Sequence, residues 1–194
     1  MERTAAALAV RRARGVGRLT QRALANRAHD HQPNIAAIES GTRDAKFQTV
    51  TDLVHAAGAS LCLLPTTTAS VADVAEEIRR FLAHGEERSA YRSWLGLHDD
   101  LERSEPALRV ALCVTPPVLV GESRYDALLA ALVDFVLAGD GLPLPPWVDD
   151  DRRVAESDWW IEDLPATREA VRAATPPAFS KRRLYLDASE LESV

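Results

Sequence analysis

Cysteine is scarce. Two residues, Cys62 and Cys113, in a chain of 194 cannot build a disulfide scaffold or a four-cysteine zinc site. Both sit in apolar runs, SLCLL and VALCV, and are expected to be reduced, buried packing residues. Long hydrophobic runs are missing too. The longest apolar block, residues 127–139, is interrupted by Asp134 and falls short of the ~20 residues a membrane helix needs. The early AAALAV stretch is short and runs into RRAR, so it does not read as a secretory leader. A cytoplasmic protein is expected. No glycine-rich phosphate loop, nucleophile elbow or Ser/His/Asp arrangement stands out, so neither enzymatic activity nor a cofactor is expected. His29, Asp30 and His31 are adjacent in a turn, which does not supply three convergent ligands; no metal site is expected. The composition that remains, 46% hydrophobic and 27% charged, suits a folded chain and excludes wholesale disorder.

Lysine is nearly absent: arginine outnumbers it 21 to 2. The net charge of −6 argues against nucleic acid when taken alone, but its distribution does not. Residues 1–56 hold nine Lys/Arg against five Asp/Glu, leaving 14 against 24 in the remainder. A basic module of about +4 thus precedes an acidic one of about −10.

The periodicity predicts a mainly α protein of two domains. Helices are expected at residues 3–14, 21–28, 31 or 32–40 and 48–57, the second capped by Thr20 and the third ended by Gly41. Residues 59–64 read as a short strand or extended segment. Residues 1–64 form the first domain, 65–69 a Pro/Thr linker, and 70–194 a mostly helical second domain. There Ser70 caps a helix at 71–84, followed by helices at 86–103, 106–114, 123–137 and 164–174. The 123–137 helix is the most apolar and is expected at the core centre. Glu162 and Asp163 suit the start of the last helix better than a catalytic carboxylate pair.

The strongest signal is LTQRALANRAHDHQPNIAAIESG, residues 19–41. Leu24, Ala25, Ile35 and Ile38 have the spacing of two helices packed across a short turn. With Thr20-Gln21, Ile38-Glu39 and Gly41, the segment resembles the helix-turn-helix of Cro/repressor-type (Xre family) regulators, and the resemblance extends over residues 3–65. It implies a four- to five-helix DNA-binding domain whose third helix enters the major groove. His31, Gln32, Asn34 and Ala37 then face base edges, where glutamine and asparagine match adenine. Gln21, Arg22, Arg27, Arg43 and Lys46 fall at phosphate-contacting positions, and Glu39 at one that pairs with a first-helix arginine, here Arg11 or Arg14. Three features depart from the family. His29 stands where glycine is usual and must tolerate positive φ, Asp30 replaces an apolar turn residue, and the GVGR loop is longer. A module kept only for dimerisation is the alternative.

The acidic module carries all four tryptophans. Trp94 and Trp147 are expected to anchor its core. Trp159 and Trp160, adjacent in an extended stretch, should point to opposite faces, one buried and one presented. Aromatic and arginine residues favour interfaces, so Trp159, Trp160, Phe179, Lys181, Arg182, Arg183 and Tyr185 are the candidate partner-binding residues. The C-terminal pattern, from WWIEDLP through SKRRLYLD, resembles a group of actinobacterial Xre-type antitoxins paired with nucleotidyltransferase-like toxins of the AbiEii class. That implies a repressor that acts as a homodimer on operator DNA and neutralises a cognate toxin protein. A stand-alone repressor, whose second domain senses a small ligand or only dimerises, is the alternative.

Overall fold

The computed structural model describes residues 4–161 and 166–191. The chain divides into two compact units, Met1–Pro65 and Thr66–Val194, and it is mainly helical. Among the described residues, no helix is long and apolar enough to cross a membrane.

The first unit holds α1 (Ala5–Val16), α2 (Gln21–Arg27), α3 (Gln32–Ser40) and α4 (Phe47–Ala56). Threonine hydroxyls start the first two helices: Thr4 accepts from the Ala7 N–H, and Thr20 from the Ala23 N–H at 3.1 Å. Such caps contribute ~1 kcal/mol each. Helix α1 runs through Gly15, two residues past the expected end, to a cap at Gly17. The extra turn has a steric reason. A Cβ on Gly17 would lie 2.4 Å from the Ala57 carbonyl oxygen, so only glycine lets the α1 terminus approach the end of α4 this closely. Val10, Leu24, Ile35, Ile38, Leu53 and Val54 close the core. His29 adopts φ of 52°, the left-handed turn expected of it.

In the second unit α5 (Val71–Ala83), α6 (Glu87–Arg103) and α7 (Pro106–Cys113) surround α8 (Ser123–Gly139). Ser70 and Asp73 form a reciprocal capping box at the start of α5. Helix α8 is buried on almost every side, as expected of a helix apolar all round. Trp94 and Trp147 anchor the core, and each indole N–H is satisfied by a carbonyl: Leu128 at 3.0 Å and Cys113 at 2.9 Å. Two-residue strands β1 (Trp159–Trp160) and β2 (Leu184–Tyr185) pair in parallel, Trp159 opposite Leu184 and Trp160 opposite Tyr185. Helices α9 (Arg168–Ala174) and α10 (Pro177–Ser180) lie between them in the chain.

Three expectations are corrected. Cys62 is exposed, as are residues 60–65 throughout; Cys113 alone is buried, and burial pushes its thiol up to about 12. Helix α9 begins at Arg168, since residues 166–167 form a turn; Glu162, Asp163, Leu164 and Pro165 lie outside the described residues. Phe179 and Arg182 are not surface residues. Phe179 is wholly buried, edge-on to Trp94 at 6.3 Å and tilted against Phe135 at 5.7 Å. Arg182, 3% exposed, donates to Asp134 at 2.7 Å and to the carbonyls of Ala178 and Val148 at 2.6 and 2.8 Å.

That pairing explains the charge that interrupts the apolar helix. Asp134 lies in the middle of α8, and Lys181 reaches the same oxygen at 2.5 Å. Burial pushes the Asp134 carboxyl up, but the bonds from Lys181 and Arg182 outweigh it and hold it below its usual value. Replacing Asp134 by asparagine leaves the buried Arg182 guanidinium with two carbonyls and the exposed Asp149 carboxylate at 3.7 Å, and the second unit should lose about 3 kcal/mol. With the folded value below the unfolded one of about 3.9, this stabilisation is complete above the usual aspartate range. It is lost as pH falls through the folded value. Urea denaturation at pH 7 and in acid tests both points; an Asp134→Asn variant as stable as wild type would show the ion pair to be idle.

Candidate functional site

The N-terminal ends of α2 and α3 form one polar face, and a chain of side chains ties it together. It starts at Glu39 on α3, only 6% exposed. Arg14 of α1 grips this carboxylate with two nitrogens, at 2.7 and 3.0 Å, and donates a third bond to the Leu19 carbonyl at 2.9 Å. Gln21, the first residue of α2, donates to Glu39 at 3.0 Å and accepts from Gln32 at 2.9 Å. Gln32 is exposed at the start of α3. The buried carboxylate thus orients Gln21, and Gln21 orients Gln32 outward. An open depression beside them is lined by Arg14, Thr20, Gln21, Arg22, Asn26 and His31.

A second bonded group follows on α3. The Asp30 carboxylate accepts the His31 N–H at 2.7 Å and the Asn34 amide at 2.5 Å. The Asn34 oxygen accepts from Arg43 at 2.5 Å. Asp30 thus ties the residue before α3 to the third residue of that helix. It also holds Asn34 toward the loop after Gly41. His31 and Gln32 are exposed, while Asn34 and Ala37 are half-buried; Arg22, Arg27, Arg43 and Lys46 are exposed around them. The structure therefore brings the base-facing and phosphate-facing candidates onto adjoining surface of α2, α3 and the following loop. Gln21 and Asn34 have both amide ends engaged within the chain; Gln32 has one.

The C-terminal candidates divide differently. Trp159 and Trp160 are both half-buried, where one buried and one presented were expected. Trp159 packs on the edge of the core, with the Arg124 guanidinium 5.6 Å from its ring. Trp160 stacks on Tyr185 with ring centres 4.3 Å apart, so Tyr185 is itself covered. Arg168 and Arg172 lie over the Trp160 ring at 5.4 and 5.5 Å, and Arg172 over Tyr185 at 4.7 Å. Arg183, exposed, is held by Asp158 at 3.0 Å and the Glu156 carbonyl at 2.7 Å. Lys181 turns to Asp134. Arg168 and Arg172 were missed by sequence reasoning, although their i,i+4 spacing placed them on one helix face. Together with Asp158, Trp160 and Arg183 they line a shallow depression.

No family model, curated protein or solved structure matches the chain.

Glu39→Ala removes the carboxylate that Arg14 grips and the anchor of Gln21. The first unit should lose on the order of 3 kcal/mol, and the Gln32 side chain its fixed orientation. Amide exchange of the full-length protein should show faster opening across residues 5–57 and no change in the second unit. Unchanged protection there would mean that Glu39 bears no load.

Proposed function

We propose that this chain is a sequence-specific DNA-binding repressor of the Cro/repressor (Xre) type, acting as the antitoxin of a two-gene pair. The observation that carries the DNA-binding half is the polar chain Arg14–Glu39–Gln21–Gln32. A buried carboxylate and its arginine position an exposed amide at the first turn of a helix, beside exposed cations. A core carboxylate is costly, and packing alone gives no reason to place one there. An amide fixed in position at the head of a helix is what base-edge reading requires, and the exposed Arg22, Arg27, Arg43 and Lys46 suit a phosphate backbone on either side.

On this reading the two kinds of residue fail differently. Gln32→Ala should cost roughly 1–3 kcal/mol and relax preference at one base pair, while Lys46→Ala should weaken all duplexes alike and lower the salt slope by about one. Binding to the chain's own promoter region, titrated against salt, measures both. Wild-type affinity in Gln32→Ala and Asn34→Ala alike would remove α3 from the interface.

The antitoxin half rests on the resemblance of the C-terminal pattern and on the Trp160 patch. An acidic module that gathers three arginines round one partly exposed tryptophan has the make-up of an interface centre. Trp160→Ala should weaken capture of the co-encoded toxin at least tenfold, about 1.4 kcal/mol, and leave operator binding intact. Loss of both together, with a lowered melting temperature, would make Trp160 a packing residue and favour the stand-alone repressor.

A further inference from the structure

The charge of the second unit inverts at one place. The unit holds 14 Lys/Arg against 24 Asp/Glu. Yet among the described residues the depression beside Trp160 is lined by Arg168, Arg172 and Arg183 against Asp158 and Glu169, which leaves one positive charge in surplus. Arg168 and Arg172 lie over the Trp160 ring, and Arg172 also lies 4.7 Å from the ring centre of Tyr185, whose plane is stacked on Trp160 at 22°. Like charges at i,i+4 repel; the shared ring holds this pair together. A guanidinium held over a ring by its face still carries its N–H donors around its edge. Arg172 reaches Asp158 at 3.5 Å, too long for a good hydrogen bond, while Arg183 engages the same carboxylate at 3.0 Å. Both arginines are exposed. Two guanidiniums thus share one carboxylate, and the donors of Arg172 are positioned without being saturated.

We infer that this site receives a single carboxylate from a protein partner, an Asp or Glu side chain or a chain terminus, taken by the edge of Arg172. The inference rests on reading the Trp160 patch as an interface and adds the chemistry of what enters it. Charge selects a monoanion: one surplus positive charge is matched by one carboxylate, whereas a phosphate monoester of nearly two charges overshoots it. Shape agrees, because a guanidinium fork and a carboxylate are both planar and pair through two parallel N–H···O bonds. The aromatic stack excludes water from one side of Arg172, so a charge-assisted bond there is stronger than on open surface. Nucleic acid is disfavoured by the rest of the unit. A polyanion lying across it meets the acidic surplus within the screening length of ~8 Å at physiological salt, while a lone carboxylate needs only the patch. Asp158, already outside bonding distance of Arg172, gives it up at little cost and keeps Arg183.

The full-length chain and the co-encoded toxin test this. Arg172→Gln removes the charge and should weaken capture roughly tenfold, with melting temperature and operator binding unchanged. Arg172→Lys keeps the charge without the fork and should recover only part of the loss. Arg172→Glu should abolish capture, and a toxin in which one Asp or Glu is changed to Lys should restore it. A second measurement needs no toxin. Titration with N-acetylglutamate methylamide, followed by NMR at the Arg172 Nε–H, should give a saturable shift that N-acetylglutamine methylamide does not reproduce. A complex that depends on Trp160 but is indifferent to Arg172→Gln overturns the carboxylate and leaves the interface. The glutamate shift without capture of the toxin keeps the carboxylate site and overturns the antitoxin reading. Equal shifts with both titrants, or no shift with either, overturn the inference. So does capture displaced by inorganic phosphate or an oligonucleotide but not by N-acetylglutamate methylamide.

Discussion

Glu39 can be buried only because Arg14 meets it, and the first unit is arranged around that requirement. The pair joins α1 to α3 across the core, so the two helices cannot slide without separating the charges. Arg14 also holds the Leu19 carbonyl, which fixes the loop before α2, and Gln21 then takes its direction from the same carboxylate. Apolar packing by Leu24, Ile35 and Ile38 supplies most of the stabilisation, since burial of apolar area dominates folding. It is indifferent to small rotations, whereas a two-pronged guanidinium–carboxylate contact is not.

Asp134 plays the corresponding part in the second unit. It is one of two buried carboxylates in α8, the other being Asp126, and Arg182 and Lys181 from the tail close on it. The tail is thereby registered against α8, and with it β2, whose two residues carry β1 and the Trp160–Tyr185 stack. Arg153 adds a parallel fastening. Its guanidinium lies 4.7 Å from the Trp147 ring centre and donates to the Pro117 carbonyl at 2.5 Å. The candidate patch is therefore built on buried charge, although its own strands are only two residues long.

Most helices were legible in the sequence because capping residues and apolar stripes occur together, as at Thr20, Ser70 and Gly41. The pairing of Glu39 with a first-helix arginine, Arg11 or Arg14, and the left-handed turn at His29 were expected from the family resemblance; the partner is Arg14. What escaped depends on partners far away in the chain. Nothing near Arg182 announces a mate 48 residues earlier, so a basic run beside aromatics read as surface. Phe179 was misplaced for the same reason: its neighbours Trp94 and Phe135 come from other helices. Cys62 failed in the opposite sense. An apolar run implies burial only if something covers it, and no covering element lies in residues 60–65 themselves. The start of α9 was misjudged from Pro165, a residue that permits a helix start without compelling one.

Asn34 has both ends of its amide engaged before anything arrives. The amide nitrogen gives one hydrogen to Asp30 and the oxygen takes one from Arg43, so an incoming edge must either use the remaining hydrogen and lone pair in the geometry these bonds leave or displace them. The net gain is the difference between two sets of bonds, and a ligand that offers only one of the pair gains nothing by displacement. Gln32, half free, welcomes more edges than Asn34 does. Two neighbouring amides of the same chemistry thus differ in how demanding they are, and that difference is set by a single aspartate in the turn.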